Sequence, residues 1–178
     1  AEIRELGDAQ PLAGVEPPAG PLALLHDQLR GDGGGLTLTL RRHQLTIQAE
    51  GGLSEEGLWE IVQTVVAEQG LTSLHVVRSS HSIDVVDSDA SKLNVVAAVA
   101  SHAKTNDVLR IGDRGCWPGN DHEMLASPLG LSVEQVSPDL TSCWNIAPEA
   151  LRGSRATLYY LRSVEVQDGL GRFRVEGE

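Results

Sequence analysis

The sequence predicts an α/β fold in two parts, and three observations carry that prediction. Residues 36–87 read as strand, strand, helix, strand, strand, the order of a small α+β subdomain. From Asp89 onward helices and strands alternate, the order of a doubly wound parallel sheet. At 178 residues the chain is long enough to bury a core in one domain plus a smaller subdomain. The divisions expected are residues 1–35 as an N-terminal segment with a short helix, 36–88 as the α+β subdomain, and 89–178 as part of an α/β core.

The elements follow in order. Residues 9–20, rich in Pro, Gly and Ala, disfavour regular structure and read as a linker or ordered loop. "PLALLHDQLR" then spaces Leu22, Leu24, Leu25 and Leu29 as a short amphipathic helix, which the glycines of residues 31–35 end. Leu36, Leu38 and Leu40, then Leu45 and Ile47 beyond "RRHQ", alternate with polar residues as a half-buried hairpin does. Ser54 is placed to cap the next helix, with Glu55 and Glu56 in its first turn, a stripe of Leu58, Ile61, Val62, Val65 and Val66, and Gly70 as the stop. Strands are expected around Leu74–Arg78 and Ser82–Val86, turning at "SSH". Beyond them Ser91 caps a helix that should bury Leu93, Val96, Val99 and Ala100, and "DVLRIGD" is a strand with a polar exit. A helix in "GNDHEMLAS", a strand in "GLSVEQVS" and a last helix carrying Leu158, Tyr159, Leu161 and Val164 complete the alternation. The tail "GLGRFRVEGE" reads as a weak hairpin arm or a frayed end.

Composition excludes several function classes. A formal charge of −11, with 14 basic residues scattered among 25 acidic ones, argues against a nucleic-acid partner. The longest nearly apolar run, Leu93–Ala100, is interrupted by Asn94 and falls short of the ~20 residues a membrane span requires. Cys116 and Cys143 form no metal-ligand spacing, so a reducing, cytoplasmic setting is expected. The N-terminus lacks signal-peptide regions and an initiator Met, as a processed, cut or sub-cloned chain would.

The densest chemistry lies in "LRIGDRGCWPGND", Leu109 to Asp121. Ligands of open parallel sheets sit beyond the carboxyl ends of strands, where Asp113 falls. Hard cations such as magnesium prefer carboxylate and amide oxygens, the set that Asp113, Asn120 and Asp121 offer. Gly112 and Gly115 permit unusual torsions, while Pro118 and Gly119 turn the loop that brings Asp121 back towards Asp113. The same residues also suit a simpler role, Asp113 or Asp121 capping the following helix.

"DASKLNVV" and "LRIGDRGCWPGND" together resemble the third and fourth motifs of the haloacid dehalogenase superfamily of phosphohydrolases: a lysine opening a helix, then an acidic pair after a strand. The resemblance is to the branch with a large α/β cap, which includes sugar phosphatases and sucrose-phosphate phosphatase-like proteins. Lys92 precedes Asp113 by 21 positions, room for the helix and strand between them, and the β-β-α-β-β segment resembles that branch's cap. The resemblance implies a doubly wound core with an α+β cap, and magnesium as cofactor. It implies Lys92 as the catalytic residue that steadies negative charge, and Asp113, Asn120 and Asp121 as the metal's holders. The implied substrate is a small phosphorylated metabolite, taken as a sugar phosphate. That division suits phosphoryl transfer, which needs positioning and cationic compensation of charged oxygens.

Two features depart from the pattern. The acidic pair is eight positions apart, wider than the family's usual few, and the inserted "RGCWP" offers Arg114 and Trp117 as substrate contacts. The family's nucleophile motif, D-x-D-x-T or D-x-D-x-V, is also not found in the first 35 residues, where Asp8, Asp27 and Asp32 stand without it. "VVDSDAS" spells D-x-D-x-S at Asp87 and Asp89, but too few residues separate it from Asp113 to build the intervening motifs, so Asp89 is read as part of the turn before Lys92. The resemblance thus covers about residues 36–165. Either the chain is a fragment of a phosphatase, or it is a natural protein that kept the fold without the reaction. Open sheet edges in a partial core would favour a homodimer or pairing with the missing core segment. His75 and His81 are expected at the surface, Trp144 as a packing residue, and at most one of Tyr159 and Tyr160 in the core.

Overall fold

A computed structural model describes residues 20–31, 35–168 and 170–174. All but the last residue of the linker expected over 9–20, together with Asp8, Asp32 and the last four residues, lie outside the described residues. The fold is mixed α/β. It divides into two compact units, one running to Thr105 with Pro118–Asn120 added, the other comprising Asn106–Trp117 and everything from Asp121 onward.

In the first unit, helix α1 (Pro21–Gly31) precedes strands β1 (Leu36–Arg41) and β2 (Gln44–Ala49), helix α2 (Glu55–Glu68), strands β3 (Leu74–Arg78) and β4 (Ile83–Asp87), and helix α3 (Leu93–Ala103). The strands form one antiparallel sheet in the order β1-β2-β4-β3. The period of two explains its core: Leu45 and Ile47 of β2, Leu74 and Val76 of β3, and Ile83 and Val85 of β4 point to one side. There they meet Leu22, Leu25 and Leu29 of α1 and Leu58 and Val62 of α2. Helix α2 starts where its sequence says it should, with the Ser54 hydroxyl accepting the Gly57 N–H at 3.1 Å and Glu55 and Glu56 in the first turn. Gly70, at φ +61°, ends it.

Helix α3 departs from expectation, for it has no buried residue. Leu93, Val96 and Ala100 are only half-buried, and Val99 is exposed along with Val95. The apolar spacing indicates which side a neighbour would cover, but not that a neighbour is present.

The second unit comprises strand β5 (Arg110–Arg114), a single helical turn α4 (His122–Leu125), strand β6 (Gly130–Gln135), helix α5 (Ser154–Ser163) and the hairpin β7 (Val164–Gln167) and β8 (Leu170–Phe173). β5 and β6 run parallel, the pairing that strand-helix-strand alternation implies. Trp144 extends this sheet through its backbone: its N–H donates to Gly130 O and its carbonyl accepts from Ser132 N, at 3.0 and 2.7 Å. Its ring is about half exposed instead of packed in a core.

The face that α5 buries does not carry its leucines. Leu158 and Leu161 are exposed, Tyr159 is half-buried, and Val164 leaves the helix to begin β7. The buried stripe is Ala156, Tyr160 and Ser163, spaced i, i+4, i+7. Tyr160 decides the face. Its hydroxyl lies 2.9 Å from both Ser132 O and Asn145 Oδ1, and accepts the N–H groups of Ile146 and Ala147 at 3.2 Å each. A phenol that ties four groups together inside the unit orients the helix more strongly than two leucines that can face water.

Candidate functional site

The acidic loop is built from the end of β5. The β5–β6 register shifts between Gly112 and Arg114, and the chain leaves the strand through Gly115, Cys116 and Trp117. Pro118–Asn120 then belong to the first unit, where they lie along the end of β3. The Arg78 N–H donates to Pro118 O and the Asn120 N–H to Arg78 O, both at 2.9 Å. Arg78 is itself held, stacked 4.7 Å over the Trp59 ring and paired with Glu56 at 2.9 Å.

Asp121 brings the chain back. It is almost wholly buried, and its Oδ2 accepts the Asp113 N–H at 2.8 Å and, more weakly, the Arg114 N–H at 3.4 Å. A carboxylate taking backbone donors in this way satisfies its own charge and two amides released where the ladder shifts. Gly112 is what admits it, since a Cβ there would stand 2.5 Å from Oδ2. The His122 ring donates from Nδ1 to Gly115 O at 2.9 Å and packs edge-on to Trp117, with centroids 5.8 Å apart. Gly115 is pressed against the buried Cys143, whose thiol burial pushes above its ordinary pKa.

The Asp121 contacts are testable directly. Asp121→Ala leaves buried amides unsatisfied and is expected to lower stability by roughly 1–3 kcal/mol, read as a shift in the urea midpoint. Asp113→Ala, which keeps the backbone N–H that Asp121 accepts, is expected to cost less than Asp121→Ala in the same measurement.

The expected site residues are therefore distributed as follows. Asp121 and the backbone of Asp113 are joined in the second unit, with the Asp113 side chain half-buried on the strand. Asn120 falls in the first unit, and its Oδ1 is buried without a hydrogen-bond partner. Lys92 also lies in the first unit, exposed at the N-cap position of α3, with Ser91 Oγ accepting the Leu93 N–H at 3.0 Å. Asp89 sits in the turn before α3, its carbonyl accepting from Asn94, and Asp87 is 3.1 Å from the His43 ring. His75 and His81 are at the surface.

Within the second unit, Asp113 and Asp121 are carboxylates, oxygen donors of the kind a hard cation takes. Among the described residues no group of three or more His, Cys, Asp or Glu side chains is arranged to hold a metal ion. Sequence reasoning missed the organising parts: the Asp121 clasp, the Gly115–Cys143 contact and the Tyr160 hub. The glycine spacing around Asp113 was the available signal for the first.

No helix among the described residues is long and apolar enough to cross a membrane. No family model matches the chain, and no curated protein matches it. Three solved structures of the IMP-nucleotidase of Plasmodium falciparum are similar in part. The IMP-bound, N-terminally truncated form is 12% identical over 67% of this chain and 32% of that one, with a TM-score of 0.44. An IMP-bound point mutant is 11% identical over 71% and 36%, with a TM-score of 0.43. A second N-terminally truncated form is 12% identical over 68% and 38%, with a TM-score of 0.39. The chain spans about a third of the length of these structures.

Proposed function

We propose that the chain forms the lysine and acidic-loop part of a magnesium-dependent phosphohydrolase of the haloacid dehalogenase type, acting on a small phosphorylated metabolite, taken as a sugar phosphate. The observation that supports this most is the clasp between Asp121 and the Asp113 amide. It fixes the end of β5, with one carboxylate used in shaping the loop and the half-buried Asp113 side chain left on the strand. Asp113 is assigned as the principal metal-holding carboxylate, with Asn120 and Asp121 completing or supporting the set. Magnesium, when bound, would compensate charge on the phosphoryl oxygens. Lys92 is assigned to the same negative charge from the start of α3, as an ammonium that carries three donors. No residue of this chain is assigned as nucleophile.

The test is phosphate release from p-nitrophenyl phosphate and from hexose phosphates, with magnesium or with a chelator, using the protein together with any sequence its gene encodes before Ala1. Magnesium-dependent release that Asp113→Ala reduces by at least 100-fold is expected. Absence of release, or release indifferent to Asp113→Ala, would overturn the reading. A second reading, a non-catalytic binding module on the same fold, is favoured by one observation: Asp121 uses its buried oxygen on backbone amides and so orders the loop without any metal. A D-x-D-x-T strand encoded upstream would exclude it.

A further inference from the structure

Five of the chain's fourteen basic residues are arginines between Arg152 and Arg174, a stretch whose only acids are Glu165 and Asp168. In a chain of net charge −11 this is a local reversal of sign, and it coincides with a groove of about 490 Å³ along α5 and the β7–β8 hairpin. The groove lies within the second unit and shares no residue with the acidic loop.

The lining has a definite order. Arg155, Leu158, Tyr159 and Arg162 stand at i, i+3, i+4 and i+7, one face of α5, beside the stripe of Ala156, Tyr160 and Ser163 that the helix buries, with Ser163 at the edge of the groove. A cation thus stands at each end of an apolar middle, with Cα positions roughly 10 Å apart at 1.5 Å per residue. Leu151 adds to the apolar part. Arg174 enters from the end of β8 but is paired with Glu165 at 3.1 Å, so its charge is already balanced. Among the described residues Arg155 and Arg162 have no ion-pair partner. Exposed Leu158 and half-buried Tyr159 between two such cations present apolar surface that a charged helix face has no structural reason to keep open.

We infer that this groove binds an elongated small molecule with an apolar or aromatic body and an anionic group, phosphate or carboxylate, at each end. Arg155 and Arg162 would each take one anion through the planar fork of the guanidinium, and the body would rest on Leu151, Leu158 and Tyr159. This does not depend on the phosphohydrolase reading.

The test is calorimetric titration of the full chain with non-hydrolysable probes: phenylphosphonate, and a biphenyl carrying a phosphonate or a carboxylate at both ends. At least one two-ended probe is expected to bind about tenfold or more tightly than phenylphosphonate, and the tighter of the two identifies the anion. Arg155→Gln and Arg162→Gln should each weaken that binding about tenfold, the loss of one charge-assisted contact. Glu165→Gln should tighten it by freeing Arg174. Arg41→Gln, a charge-matched change on β1, should leave it unaltered. Equal affinity for one- and two-ended probes, no binding of either, or an equal loss with Arg41→Gln would overturn the inference. Because the probes cannot be hydrolysed, the outcome is independent of phosphatase activity.

Discussion

Gly115→Ala is expected to destabilise the second unit by on the order of 3–5 kcal/mol, a penalty at or beyond the upper end for overpacking. A Cβ at this position would stand 2.1 Å from Cys143 Sγ and 2.7 Å from the backbone oxygen of Gln135. Neither can yield cheaply. Cys143 is buried and held at φ +57°, and Gln135 O already accepts the Gly115 N–H at 3.0 Å and the Ser132 hydroxyl at 2.6 Å. The effect can be isolated because Trp59 is the one tryptophan of the first unit. In a Trp59→Phe background, urea-induced fluorescence change reports Trp117 and Trp144 alone, and Gly115→Ala should move its midpoint sharply downward. Gly171→Ala, where an added Cβ would meet nothing within 4 Å, is the matched control.

Tyr160→Phe is expected to cost about 2–4 kcal/mol in the same assay, although it removes a single oxygen. That oxygen serves the Ile146 and Ala147 amides and faces the Ser132 and Asn145 oxygens, so its loss leaves buried groups of both kinds unpaired. Burial also raises the Tyr160 hydroxyl above its ordinary pKa. The sign follows from linkage: a neutral acid favoured by the folded state contributes fully below its unfolded pKa, and that contribution is lost as pH rises through and above it. Cys143, raised for the same reason, acts in the same direction from the thiol range upward. The second unit should therefore lose stability on the alkaline side, and Tyr160→Phe should remove the part that sets in near the phenol range.

What the sequence made legible was local. Ser54 and the paired glutamates start α2 and Gly70 stops it, each a signal read within a few residues, and the alternation of leucines determines the β1–β2 hairpin. These signals need no knowledge of the rest of the chain. The burial of α3 and α5 is a different matter, because it depends on which elements arrive from elsewhere. Val95 and Val99 stay exposed because none of the described residues packs over them, and Tyr160 displaces Leu158 and Leu161 from the interior because Ser132, Asn145, Ile146 and Ala147 converge on its hydroxyl. The acidic loop lies between these cases. Its carboxylates, its turn residues and its place at a strand end could be read directly. That Asp121 closes onto the Asp113 amide, and that Pro118–Asn120 pair with Arg78, depends on backbone positions fixed only in three dimensions.

The central claim is a division of labour within "LRIGDRGCWPGND": Asp121 shapes the loop and Asp113 holds the cation. Magnesium titration of the full chain by calorimetry, set beside the urea midpoints of the same samples, tests it most directly. The account predicts that the chain binds magnesium, that Asp113→Asn abolishes binding, and that Asp121→Ala lowers the midpoint further than Asp113→Asn does. Absence of magnesium binding, or binding that survives Asp113→Asn, would contradict it.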